Sequence, residues 1–73
     1  MVDKHFKKEF ESFGERLQSI RKEKGMSQVE LESYSGVPRT EISKIENGHK
    51  NIELTTIIKL ARALEVKVAA FFS

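Results

Sequence analysis

Seventy-three residues, no cysteine and a formal charge of +2 describe one small domain, near the lower size limit for a fold that rests on its apolar core alone. Without thiols there are neither disulfides nor thiolate metal sites, which suits a reducing cytoplasm. No apolar run approaches the ~18 residues of a membrane-spanning helix, and the charged amino terminus lacks a signal-peptide core, so the sequence reads as that of a soluble cytoplasmic protein.

The small net charge is unevenly spread. Arg16, Arg21, Lys22 and Lys24 outnumber Glu15 and Glu23 over residues 12–26, whereas residues 27–37 carry only Glu30 and Glu32. Over residues 38–50, Arg39, Lys44 and Lys50 outnumber Glu41 and Glu46. A local basic surface on either side of an acidic segment is the reading this pattern supports.

Taken in order, the chain opens with Phe6 and Phe10 four residues apart among lysines and glutamates. Their spacing continues through Phe13, Leu17 and Ile20, so a first helix can start as early as Lys4. Ser12 with Glu15 forms a capping box, however, and Gly14 costs a helix about 1 kcal/mol relative to alanine. These favour a helix from Phe13 to Lys24, with residues 1–11 as a loosely held amino-terminal arm and residues 12–73 as the folded domain. Arg21, Lys22 and Lys24 load the last turn favourably and Gly25 ends it.

Ser27 and Glu30 make a second capping box, so a helix is expected from Gln28 to Ser35, with Val29 or Leu31 and Tyr34 as its apolar contacts. Gly36 closes it, and Pro38 fits the start of the next, expected over Arg39 to Glu46 with Ile42 and Ile45 inward. Asn47-Gly48 stops that helix. A fourth spans about Leu54 to Leu64, with Leu54, Ile57, Ile58, Ala61 and Leu64 as its inward stripe. Val68, Phe71 and Phe72 form a last helical turn. The fold class is therefore all-α: a compact domain of five short helices, organised around the pair at Ser27 to Gly48 as a helix-turn-helix.

From Phe13 to Phe72, about four-fifths of the chain, the sequence resembles the phage Cro and repressor-type helix-turn-helix family, also called Xre. The resemblance rests on Ile20-Arg21-Lys22-Glu23-Lys24-Gly25, then Ser27-Gln28, then Leu31, Gly36, Val37, Ile42 and Ile45 in register. It continues through Glu46-Asn47-Gly48, Leu60-Ala61, Ala63-Leu64 and Val66. It implies that the third helix lies in the DNA major groove, with Arg39, Thr40, Ser43 and Lys44 at base-reading positions. It also implies phosphate contacts near the start of the second helix and an Arg21–Glu46 salt bridge that is structural.

The side-chain chemistry agrees. Arg39 can grip guanine O6 and N7 with two parallel hydrogen bonds, and Thr40 can offer its methyl to thymine. Ser27 and Gln28 at a helix start can meet a phosphate, as can the amides and cations of Asn47, His49 and Lys50. Val66, Val68 and Phe72 are candidates for a dimer contact. Three positions depart from the family pattern: Glu32 where a small alanine is usual, Pro38 in place of a polar N-cap, and Glu65 where glycine often ends the fourth helix.

Nothing points to catalysis. There is no phosphate loop, no nucleophile with a partnered base, and no paired carboxylates in a cleft. His5 and His49 lack companions of metal-ligand spacing, so neither metal nor cofactor is expected. The function expected is sequence-specific binding of double-stranded DNA by a homodimer at a palindromic operator, as a transcriptional regulator and by first choice a repressor. Two alternatives stand beside it. One is an antitoxin that holds a toxin protein and autoregulates its operon, and the other is a restriction–modification controller protein.

Overall fold

The computed structural model describes residues 6–49 and 51–72. Four α-helices, α1 (Lys7–Glu23), α2 (Gln28–Ser35), α3 (Arg39–Glu46) and α4 (Leu54–Leu64), are followed by a 3-10 helix at Val68–Phe72. No strand occurs among the described residues. The fold is all-helical as expected, but the fifth helix is a 3-10 turn. Its five residues are too few for a stable α-helix, and they are held from outside. Arg16 Nε donates to the Ala70 carbonyl at 2.9 Å, and Phe71 and Phe72 both stack on Phe13, with ring centroids 5.1 and 5.4 Å away.

The first helix starts at Lys7 and runs straight through Ser12, so residues 7–11 belong to α1. Ser12 and Glu15, read as a capping box, are exposed on its surface. Tertiary contact outweighs the local signal here. A Cβ built on Gly14 would lie 2.2 Å from the Ile45 carbonyl oxygen and 2.8 Å from that of Glu46, so glycine lets α1 cross the end of α3 backbone to backbone. One turn earlier, Glu11 rests on Gly48, whose φ of +72° and crowding by Glu11 both exclude a side chain. Residues 1–5, including Lys4 and His5, lie outside the described residues.

Among the described residues, eleven apolar side chains form the core: Phe13, Leu17 and Ile20 from α1, Leu31 from α2, Val37 from the turn, Ile42 and Ile45 from α3, Leu60, Ala61 and Leu64 from α4, and Phe71. Two faces differ from expectation. Leu31 is the buried residue of α2, while Val29 and Tyr34 are 60% and 69% exposed. In α4 the inward stripe is Thr56, Leu60, Ala61 and Leu64, which leaves Leu54 66% exposed and Ile57 and Ile58 half-buried. This helix is apolar on most of its circumference, so periodicity alone does not choose the inward face.

The start of α2 and the carboxy-terminal ends of the helices are well satisfied. Ser27 and Glu30 make the reciprocal capping box at the start of α2. The chains leaving α1, α2 and α3 turn through Gly25, Gly36 and Gly48 in the left-handed region, whereas α4 turns through Glu65 at φ 58° and ψ 42°. There the N–H groups of Glu65 and Val66 reach back to the carbonyls of Arg62 and Ala61, the Schellman arrangement that normally takes glycine. Glu65→Gly therefore removes a steric cost and is expected to stabilise the domain by about 1 kcal/mol, an increase of roughly 4–8 °C in Tm. Thermal unfolding followed by circular dichroism checks this.

Candidate nucleic-acid interface

The third helix divides cleanly. Ile42 and Ile45 point into the core with no exposed surface, while Arg39, Thr40 and Lys44 are exposed and Ser43 is half-buried. Pro38 stands at the N-cap with φ −56° and ψ 142°. Its ring supplies the entry geometry that a polar cap would otherwise fix, and it leaves the first-turn N–H groups without a side-chain acceptor. Ahead of it, Ser35 Oγ accepts from the Val37 N–H at 3.0 Å, and Val37 is buried. The turn into α3 is thus anchored while its first-turn side chains face solvent. Glu32 sits half-buried on α2 and Glu41 half-buried on α3, so neither carboxylate is fully displayed to solvent.

At the other end of α3 a polar junction forms. Arg21 presents Nε to Glu46 Oε2 at 2.6 Å and Nη2 to Glu46 Oε1 at 3.0 Å, a two-pronged ion pair. Its Nη1 donates to the Met26 carbonyl at 2.8 Å. Gln28 Nε2 donates to the same Glu46 Oε1 at 3.0 Å. One carboxylate therefore gathers the end of α1, the start of α2 and the end of α3. No buried side-chain polar atom among the described residues lacks a partner.

The turn after α3 is more committed than its sequence suggests. The backbone N–H groups of Asn47, Gly48 and His49 donate to the carbonyls of Ser43, Ile45 and Lys44, and Asn47 Nδ2 donates to the Ser43 carbonyl. Backbone amides were expected to hold DNA here, but the Schellman turn uses them. Asn47 and His49 remain exposed through their side chains, and Lys50 lies outside the described residues. At the start of α2, the capping box takes the N–H groups of Ser27 and Glu30. Those of Gln28 and Val29 are left as the donors of the first turn.

A family model described as helix-turn-helix matches residues 17–71. The chain belongs to the Cro/repressor-type, or Xre, helix-turn-helix family. Among members of that family it is similar to the transcriptional repressor RghR of Bacillus subtilis, with 46% identity over 57 residues. That match takes in 77% of this chain but 42% of RghR, so the chain spans less than half the length of that relative. Among solved structures it is similar to the restriction–modification controller protein C.AhdI from Aeromonas hydrophila. The TM-score is 0.86 at 38% identity, covering 88% of this chain and 97% of the other. The controller protein C.Esp1396I, solved as a tetramer with its natural 35-base-pair operator, superposes with a TM-score of 0.79 at 33% identity, covering 86% and 83%.

In this Xre domain, Arg39, Thr40 and Lys44 are exposed on α3, and Ser43 is half-buried. Ser27 and Gln28 stand at the start of α2, where Gln28 is half-buried against Glu46. The candidate dimer residues are not equivalent. Val66 and Val68 are half-buried against the core, and Phe72 is 65% exposed. The surroundings of two residues are not visible in the local sequence. Gly14 was weighed only for its helix propensity, and its neighbour across the fold, the α3 carbonyl, is invisible to local spacing. Exposed Leu54 was assigned inward because α4 has two apolar stripes.

Proposed function

We propose that this chain is a sequence-specific double-stranded DNA-binding transcription regulator that works in the cytoplasm as a homodimer. The observation that carries the reading is the division of α3, whose inward residues are fully buried while Arg39, Thr40 and Lys44 stand together in solvent. Membership of the family and the operator complex of C.Esp1396I support it. Arg39, Thr40, Ser43 and Lys44 read bases, and Ser27, Gln28, Asn47, His49 and Lys50 meet phosphates. One eight-residue helix reads too few base pairs for a unique site. Two such helices about 34 Å apart, on successive turns of the major groove, give a useful operator length. Phe72, with Val66 and Val68, is the proposed dimer contact.

Selection from random duplexes at fixed salt, followed by sizing of the complex, tests this reading. A palindromic site carrying two chains is expected, and no enriched site even at low salt would sink the proposal. Arg39→Ala should weaken binding to the enriched duplex by about 1–3 kcal/mol and relax preference at one base position. Lys44→Ala that weakens all duplexes alike and lowers the salt slope by about 1 assigns Lys44 to a phosphate instead of a base.

A restriction–modification controller is the form of regulator favoured by the match to C.AhdI, which spans nearly all of that protein. A restriction–modification gene set beside this chain's own gene is the observation that would separate a controller from a free-standing repressor. The antitoxin alternative falls behind both, since the relatives described above are a repressor and controllers. Co-purification of a stoichiometric toxin partner would restore it.

A further inference from the structure

The junction at Glu46 reaches beyond fold stability. Glu46 Oε1 accepts from both Arg21 Nη2 and Gln28 Nε2, and the Glu46 side chain is 2% exposed. A carboxylate has only acceptors to offer, so it admits the nitrogen of the Gln28 amide and rejects its oxygen. The planar amide is thereby fixed, with one N–H spent on Glu46 and the second N–H still available. Gln28 itself opens α2, whose first-turn donors are not all used by the capping box.

We propose that Glu46 is a positioning residue for DNA binding. It holds the Gln28 amide so that its second N–H is presented to a backbone phosphate in register with the first turn of α2. The proposal rests on the assignment of Gln28 as a phosphate contact. It adds that the orientation comes from the last residue of the reading helix, so that α3 and the phosphate anchor are set by one carboxylate. The contact adds affinity without sequence preference.

The test uses the full chain and the Gln28 side-chain amide as its own probe. Gln18, Gln28, Asn47 and Asn51 are the only side-chain amides in the sequence, which makes their resonances separable. In the free protein, the Gln28 amide proton that faces Glu46 should resonate downfield and exchange slowly. On titration with the duplex enriched from a random pool, that proton should keep its shift while its geminal partner moves. If the Glu46-bonded proton loses its shift on binding, Gln28 leaves Glu46 to reach DNA and the positioning role is overturned. If neither proton moves, the phosphate contact itself is wrong, and the positioning role goes with it.

Variants give an independent arm. Gln28→Met should weaken binding to the enriched duplex and to a scrambled duplex alike, by roughly 3- to 10-fold, the range for loss of one hydrogen bond. In an Arg21→Met/Glu46→Leu background whose helicity matches wild type, the same change should cost less than about 2-fold, because the amide has lost its acceptor. Equal losses in the two backgrounds would overturn the proposal. The amide titration needs no variant, so an Arg21→Met/Glu46→Leu chain that fails to fold does not spare the proposal.

Discussion

Gly14→Ala lowers the stability of the domain by about 3 kcal/mol, although alanine is the better helix former. Propensity alone would favour alanine by about 1 kcal/mol. Against this stands the new methyl, 2.2 Å from the Ile45 oxygen and 2.8–2.9 Å from the Glu46 carbonyl. All three atoms belong to backbone, so no side chain can swing aside and α1 must lift away from α3. Overpacking of this kind typically costs 1–3 kcal/mol and more where the neighbour is rigid. In a domain of this size that is a fall in Tm on the order of 10–25 °C, read by thermal unfolding. Gly14→Ala that melts at or above wild type would mean that the two helices have room to separate. The same lifting moves the turn at Asn47, so DNA affinity should fall with stability.

The second large effect is at the ion pair. Glu46→Leu leaves the Arg21 guanidinium buried, with an 8% exposed side chain, facing an apolar group. Removing one partner of a buried pair costs about 3–5 kcal/mol. That is a large share of the ~5–15 kcal/mol by which domains are stable, and urea unfolding should show it as a lower midpoint. Adding Arg21→Met should recover most of the loss, because the apolar pair carries no desolvation penalty. The double variant still lacks the acceptor for Gln28, so it is expected to be stable and yet weaker on DNA. Stability and binding measured on the same three chains separate the structural task of Glu46 from its positioning one.

Much of this architecture was legible locally. Ser27, Glu30, Gly36 and Pro38 declare where α2 and α3 begin and end, and the observed bounds fall where those caps place them. The Arg21–Glu46 pair was available only through family resemblance, since nothing in the spacing of residues 25 apart announces contact. The start of α1 lies ahead of the Ser12–Glu15 capping box because such a box is a local signal. Burial of Phe13 against the 3-10 helix, the approach of Gly14 to α3 and that of Glu11 to Gly48 are not local. The face of α4 was misread for a different reason. Leu54, Ile57 and Ile58 make as good a stripe as Leu60, Ala61 and Leu64, and only packing against α2 and the 3-10 helix decides between them. Of the proposed site, the exposure of Arg39, Thr40 and Lys44 follows from the burial of Ile42 and Ile45. The use of the backbone amides after α3 does not follow from sequence, because Asn-Gly signals a stop without saying which carbonyls the stop satisfies.

The division of α3 between buried and exposed residues has an engineering consequence. Arg39, Thr40 and Lys44 contribute nothing to the core, and Ile42, Ile45 and Glu46 offer nothing to a base edge. With Arg39, Thr40 and Lys44 as the proposed base readers, folding and address would be written in separate letters of one eight-residue word. New triplets at the three exposed positions can then be exchanged without retuning the scaffold, which makes the domain a starting point for mutually insulated regulators.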